Sequence, residues 1–266
     1  MSPLAAEKAA PPLLVVEGLD KKFGGLHAAC NVSFSIPAES LVALIGPNGA
    51  GKTTLFNLIT NMIPPSAGEV TLDGHRLRGL SPPAIAALGL IRTFQTARVF
   101  PGMTVLENTL VGRHRLMRAG LLSQALWLPS NERQESRARE RALALLDLCG
   151  LIRYRDAHAA ELPMGAQKVL EVARALMARP RLLLLDEPAA GLNDSETAQL
   201  ATLLRAIRES GVTIMLVEHN MSLVMGVADT VLVMETGRLI AAGTPGEVQR
   251  NEQVIAAYLG QEHGPC

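Results

Sequence analysis

Aromatic side chains are scarce in this sequence, with one Trp, two Tyr and five Phe among 266 residues. Since 48% of the residues are nevertheless apolar, the core has to be assembled from Leu, Val, Ala and Ile. Neither sign of charge is in excess. The 25 Lys and Arg balance 25 Asp and Glu, which argues against non-specific nucleic-acid binding as the main activity. Cysteine is rare: Cys30, Cys149 and Cys266 are widely spaced and odd in number. That pattern suits reduced thiols in a cytosolic protein rather than a disulfide framework. No uncharged apolar run approaches the roughly 18–20 residues needed to cross a bilayer. The start, Met1 to Pro12, is rich in Ala and Pro, carries Glu7 and Lys8, and lacks the apolar core of a secretion signal. Internal repeats, heptads and a basic stripe are missing as well. The expectation is a chain soluble by itself, for which any membrane role has to run through a partner. Its length suits one large α/β domain or two small ones.

What is present is concentrated in a few motifs. Gly46-Pro47-Asn48-Gly49-Ala50-Gly51-Lys52-Thr53-Thr54 fits G-x-x-x-x-G-K-[ST], between the apolar run Leu41–Ile45 and the helix-like Leu55–Ile59. Strand, glycine loop and helix in that order make a phosphate cradle, in which successive N–H groups point into one cavity. The helix start adds unpaired donors and the positive end of its dipole. Lys52 is placed to reach the β- and γ-phosphates, and the Thr53 hydroxyl to bind Mg²⁺.

A coarse pass along the chain gives strands at Leu13–Leu19, Val32–Ile36 and Gly68–Asp73, the last closed by an Asp73-Gly74 turn. A short helix opens at Pro82-Pro83 and ends near Gly89, and Leu90–Phe94 reads as extended. From Thr104 to about Gly165 the pattern is helical, opening on a capping box at Thr104–Glu107 and including the charged, then Leu-rich, Arg133–Leu148. The α/β rhythm then resumes: helix Ala166–Met177, strand Leu182–Leu185, helix Asp194–Glu209, strand Val212–Val217. A hairpin of Val231–Met234 and Leu239–Ala242 turns at Thr236-Gly237, and Gly246–Leu259 reads as helical. Apolar runs without alternation, such as Leu182–Leu185, fit strands of a parallel sheet covered on both faces.

A second chemical cluster follows from that sheet. The strand Leu182–Leu185 ends in Asp186 and Glu187, at the edge where the phosphate loop must sit. Asp186 can hold Mg²⁺ through its water shell, which leaves Glu187 to orient and deprotonate an attacking water. His219 ends the next strand, and Gln95, which can ligate Mg²⁺ or hold water, ends another.

Taken together, phosphate loop, glutamine, Leu162-Pro163-Met164-Gly165-Ala166-Gln167, Leu182–Pro188 and strand-end histidine resemble the ATP-binding-cassette ATPases, from Phe23 to the C-terminus. More narrowly, Phe23-Gly24-Gly25, Arg92–Gln95, Met103–Asn108, Pro188–Asn193, Val217–Met221 and the ending Gly243-Thr244-Pro245 … Val254–Gly260 are similar to the ATPase subunits of branched-chain amino acid importers.

The resemblance implies a P-loop NTPase with a parallel-sheet, RecA-like core, an N-terminal antiparallel β region and a helical subdomain insert. It implies a single nucleotide-binding domain over 13–260, the helical subdomain at about 95–165, and a flexible tail at 1–12. The cofactors are ATP and Mg²⁺. Phosphate contacts fall to Gly46, Asn48, Gly49, Ala50, Gly51, Lys52, Thr53 and Thr54, with Phe23 stacked on adenine. Thr53, Asp186 and Gln95 serve the metal, and Glu187, His219, Gln95 and Lys52 serve catalysis, His219 through the γ-phosphate. Asn193 falls where many members have Asp in the loop that crosses the dimer interface.

The signature departs from the common LSGGQ, because Pro163 supplies neither a hydroxyl nor an N–H. A hydrogen bond lost to a charged group is worth roughly 1.5–3 kcal/mol. Gly165 and the helix dipole remain to face the nucleotide of the partner subunit, so the expectation is an active cassette with one weakened contact. The implied partners are two transmembrane permease subunits, a second homologous ATPase and an extracytoplasmic solute-binding protein, with no nucleic acid. The implied location is peripheral, on the cytoplasmic face of the inner (plasma) membrane. ATP binding then closes a dimer of cassettes, and hydrolysis reopens it, to import branched-chain or related hydrophobic amino acids. The alternatives are another solute such as urea or amides, or a weakly hydrolysing regulatory cassette paired with an active one. Leu121, Leu126 and Trp127 are candidates for a permease docking groove.

Overall fold

The computed structural model describes residues 12–93, 99–113 and 129–259. Gln95, the Leu121–Trp127 groove, Cys266 and the N-terminal tail up to residue 11 lie outside the described residues.

Strands β1 (Pro12–Phe23), β2 (Leu26–Pro37), β4 (Ala67–Leu72) and β5 (His75–Arg76) form a four-stranded antiparallel sheet, in the order β2-β1-β4-β5. Strands β3 (Leu41–Ile45), β6 (Leu90–Arg92), β7 (Leu182–Asp186), β8 (Thr213–Val217), β9 (Thr230–Glu235) and β10 (Arg238–Gly243) form a six-stranded sheet, in the order β10-β9-β3-β8-β7-β6. Every pairing in it is parallel except the β9–β10 hairpin. The helices are α1 (Lys52–Ile59), α2 (Pro82–Ala87), α3 (Val105–Val111), α4 (Pro129–Leu148), α5 (Met164–Met177), α6 (Asp194–Glu209), α7 (Met221–Val227), α8 (Pro245–Gln249) and α9 (Glu252–Leu259).

The continuous apolar run of β7 is explained by its position. Leu182 and Leu184 face the layer built from α1 and the antiparallel sheet, while Leu183 and Leu185 face α5, α6 and α7. Burying each such leucine stabilises the fold by about 1.5–3 kcal/mol, so the strand cannot alternate with polar residues. Helix α5 belongs to two cores. Val172 and Leu176 pack toward the six-stranded sheet, whereas Leu170, Ala173 and Met177 join Val105, Ala142 and Leu146 of α3 and α4 in a separate helical core. The helices between β6 and β7 are thereby attached to the sheet through α5.

The fold class read from the sequence holds: a mixed P-loop architecture with a parallel core and an antiparallel N-terminal region. Helix α3 opens on the expected capping box, Thr104 with Glu107. Helix α6 opens on another, Asn193 with Glu196, which gives Asn193 a local reason to be Asn. The C-terminal stretch is helical as expected, in two pieces, because the Asn251 side chain accepts from Gln253 N and Val254 N and starts a new helix there. One expectation fails. Cys30 is disulfide-bonded rather than reduced. It lies half-buried on β2 beside the β9–β10 turn, where its N–H donates to Gly237 O at 2.8 Å. Spacing along the chain carries no record of such tertiary neighbours.

Among the described residues Cys149 is the free cysteine, and burial pushes its thiol up to about 12. At pH 8 iodoacetamide should therefore label Cys149 at least ~100-fold more slowly than a cysteine in a short peptide, because the thiolate is the nucleophile. Mass spectrometry of its peptide over a time course checks this; labelling at the peptide rate contradicts it.

Candidate functional site

The site begins where β3 delivers the chain into the loop Gly46–Gly51. Two glycines there are dictated by close approach. A Cβ on Gly46 (φ +149°) would lie 2.1 Å from Met234 O on β9, and one on Gly51 (φ +100°) would lie 2.4 Å from Ala28 O on β2. The loop is thus wedged between two strands in a backbone conformation that other residues adopt poorly. Gly51 then precedes α1, which has no side-chain cap and no acidic residue in its first turn. The first N–H groups of such a helix have no intrahelical acceptor and form an anion-binding edge.

Lys52 donates from Nζ to Gly46 O (2.7 Å) and Pro47 O (3.0 Å), bridging the loop from inside. Burial lowers its pKa, with the carboxylates of Glu187 and Asp186 opposing that shift. Across the cradle runs a cleft of about 490 Å³, lined by Asn48–Thr54, Glu187, His219, Gly25–Ala28 and the Thr236-Gly237 turn. The fold therefore brings together the loop, Glu187 and His219, which lie far apart in the sequence. His219 Nε2 is 2.9 Å from Glu187 Oε1. Glu187 has φ +50°, a left-handed conformation rare outside glycine, and its N–H donates to Val217 O at 2.9 Å.

Asp186 sits behind the cleft rather than in its lining. Its Oδ2 pairs with Arg92 Nη2 at 2.9 Å, the carboxylate buried and the arginine partly so. Arg92 also donates to Asn57 Oδ1 on α1 (2.6 Å) and lies over the Phe56 ring. Phe23 is 47% exposed at the end of β1, with the Lys21 ammonium over its ring, close to the Gly25–Ala28 wall but outside the cleft lining. Gly165 is placed elsewhere again. It is buried in the first turn of α5 against α6, where a Cβ would meet Glu196 Oε1 at 2.7 Å. Pro163 stands at the N-cap of that helix, a position that makes no demand for an N–H.

The donors suit Mg²⁺ better than a metal held wholly by protein. Among the described residues no group of three or more His, Cys, Asp or Glu could hold an ion. A hydroxyl (Thr53) lines the cleft and one carboxylate (Asp186) stands behind it, the small oxygen set that Mg²⁺ uses when phosphates and water supply the rest. Sequence reasoning passed over Arg92, Lys168 and Glu218, which support these groups. Each was inside or beside a quoted motif, and the only signal was a charge at the end of an apolar strand or inside an amphipathic helix.

This geometry has a counterpart in known proteins. The ABC transporter family profile matches residues 29–190, more than half of the chain. The chain belongs to the ABC transporter family. A second profile, for branched-chain amino acid ATP-binding cassette transporters, matches residues 238–264. The cassette is 46% identical to the high-affinity branched-chain amino acid transport ATP-binding protein LivG of Salmonella typhimurium, over 94% of this chain and 98% of the relative. It is 45% identical to LivG of Escherichia coli and 43% to BraF of Pseudomonas aeruginosa, with the same coverage. Among solved structures it resembles the ADP conformation of the cassette MJ1267 (TM-score 0.82, 30% identity, 95% of this chain and 100% of that one). It also resembles a nucleotide-free ATP-binding cassette (TM-score 0.80, 30% identity, 94% and 100%). The cassette is thus an ATP-binding, ATP-hydrolysing transport subunit. Among the described residues no helix is long and apolar enough to cross a membrane.

Proposed function

We propose that this cassette powers import of branched-chain amino acids by a membrane transporter. The observation that carries the solute class is the match of residues 238–264 to a branched-chain profile, in a chain 43–46% identical to LivG and BraF along 94% of its length. The cassette is proposed as one nucleotide-binding domain over 13–260, with a helical subdomain inserted at about 95–165. It docks peripherally on the cytoplasmic face, against two permease subunits, beside a second ATPase and in a system served by an extracytoplasmic solute-binding protein.

In the proposed mechanism the N–H groups of Asn48–Thr54 hold the phosphates, and Lys52 exchanges its loop carbonyls for phosphate oxygens. Phe23 stacks on adenine. Thr53, Asp186 and Gln95 would hold a Mg²⁺ ion, which neutralises phosphate charge during transfer. Glu187 takes the proton of the attacking water. His219 orients Glu187 and stabilises charge at the γ-phosphate, a role supported by its 2.9 Å contact with the carboxylate. Gly165, at the uncapped start of α5, is proposed to face the nucleotide of the other cassette, so that two cassettes complete each site.

The purified chain should show Mg²⁺-dependent ATP hydrolysis whose specific activity rises with protein concentration. A chain that binds no ATP, or that hydrolyses it equally well without Mg²⁺, would contradict the proposed mechanism.

A further inference from the structure

One buried carboxylate in the middle of the site has no part in the mechanism above. Glu218 follows β8, is 3% exposed, and is fully engaged with backbone. Its Oε1 accepts from Ala189 N at 2.6 Å, in the loop that follows Glu187. Its Oε2 accepts from His219 N (3.0 Å) and Asn220 N (3.2 Å), in the loop that carries the histidine. Asn220 in turn caps α7 through Leu223 N at 3.0 Å. A single side chain therefore fastens the Glu187 loop to the His219 loop.

We infer that Glu218 is a positioning residue for hydrolysis, which sets the Glu187–His219 geometry by tying both loops to one carboxylate. Two observations give the tie something to do. Glu187 holds a left-handed backbone conformation, which persists only where surrounding bonds over-determine it. Its loop is also gripped from the other side by Lys168 of α5, whose Nζ donates to Glu187 O (3.3 Å) and to Ala190 O. Lys168 lies in the field of Glu218, Glu187 and Glu171. The loop is held between a cation on the helix shared with the helical core and an anion on the histidine loop. Glutamine at position 218 could accept at one oxygen only, and its NH₂ would face an N–H donor on the other side. One of the two loops would then be released.

This inference rests on the roles proposed for Glu187 and His219. The test measures kcat, KM and binding of a fluorescent ATP analogue for wild type, Glu218→Gln, His219→Ala and the double variant. Glu218→Gln should lower kcat at least tenfold, with KM and analogue affinity within twofold of wild type, because the phosphate loop is untouched. In the His219→Ala background the same substitution should cost less than threefold, since the geometry that it protects is already lost. A wild-type kcat in Glu218→Gln, or an equal loss in both backgrounds, overturns the inference. Should Glu218→Gln bind no analogue, Glu218→Asp takes its place in the cycle, retaining the charge but shortening the reach. A wild type that hydrolyses nothing even when mixed with the second cassette would sink the mechanism itself, a result distinct from a hydrolysing wild type indifferent to Glu218.

Discussion

Replacing Glu187 by Gln should reduce ATP hydrolysis by about 10²–10⁴-fold, the span of a lost general base, while ATP remains bound. The substitution keeps shape and removes only the ability to take a proton. Glu187 lines the cleft opposite the phosphate loop and contacts His219 at 2.9 Å, so no direct phosphate contact is lost. Removing a negative charge near Lys52 and the phosphates favours binding if it does anything. Phosphate release in a single turnover, beside equilibrium binding of ATP, checks both halves. A loss below tenfold would remove Glu187 from the role of base, and a parallel loss of binding would make it structural.

Lys52→Ala should weaken ATP binding by about 10–100-fold, because a hydrogen bond to a charged group is worth about 1.5–3 kcal/mol and each 1.4 kcal/mol is tenfold. The full value is not realised, since Lys52 gives up its bonds to Gly46 O and Pro47 O when it turns to phosphate. The same burial that lowers its pKa sets a pH dependence. The ammonium is lost as pH rises, at a point below the ordinary lysine range, so ATP affinity in the wild type should begin to fall there. Calorimetric titration of ATP into wild type and variant, repeated at rising pH, checks magnitude and direction. Unchanged affinity in Lys52→Ala would contradict the cradle.

The parts of the site legible in the sequence are those encoded locally. Lys52, Thr53, Asp186 and Glu187 could be read because a turn or a strand end fixes each of them within a few residues of its own backbone. The same holds for helix starts such as Thr104 and Asn193, whose capping partners lie one turn away. Arg92 could not be read, because its value lies in Asp186, 94 positions further on. Glu218 was hidden for the same reason, its contact with Ala189 being visible only once β7 and β8 lie side by side. Phe23 was legible as an aromatic at the end of a strand, but not its exposed position outside the cleft lining, which depends on where the β1–β2 hairpin lies relative to the loop. Cys30 is the plainest misreading. Cysteine count and spacing speak of a compartment and carry no record of which sulfur atoms the fold brings within bonding reach.

Uptake of labelled leucine tests the central claim most directly, in cells lacking the gene for this chain and supplied with either the wild type or Glu187→Gln. The account predicts that deletion abolishes high-affinity, energy-dependent uptake, that the wild type restores it, and that an equally expressed Glu187→Gln does not. Uptake that survives the deletion, or that Glu187→Gln restores in full, would contradict it.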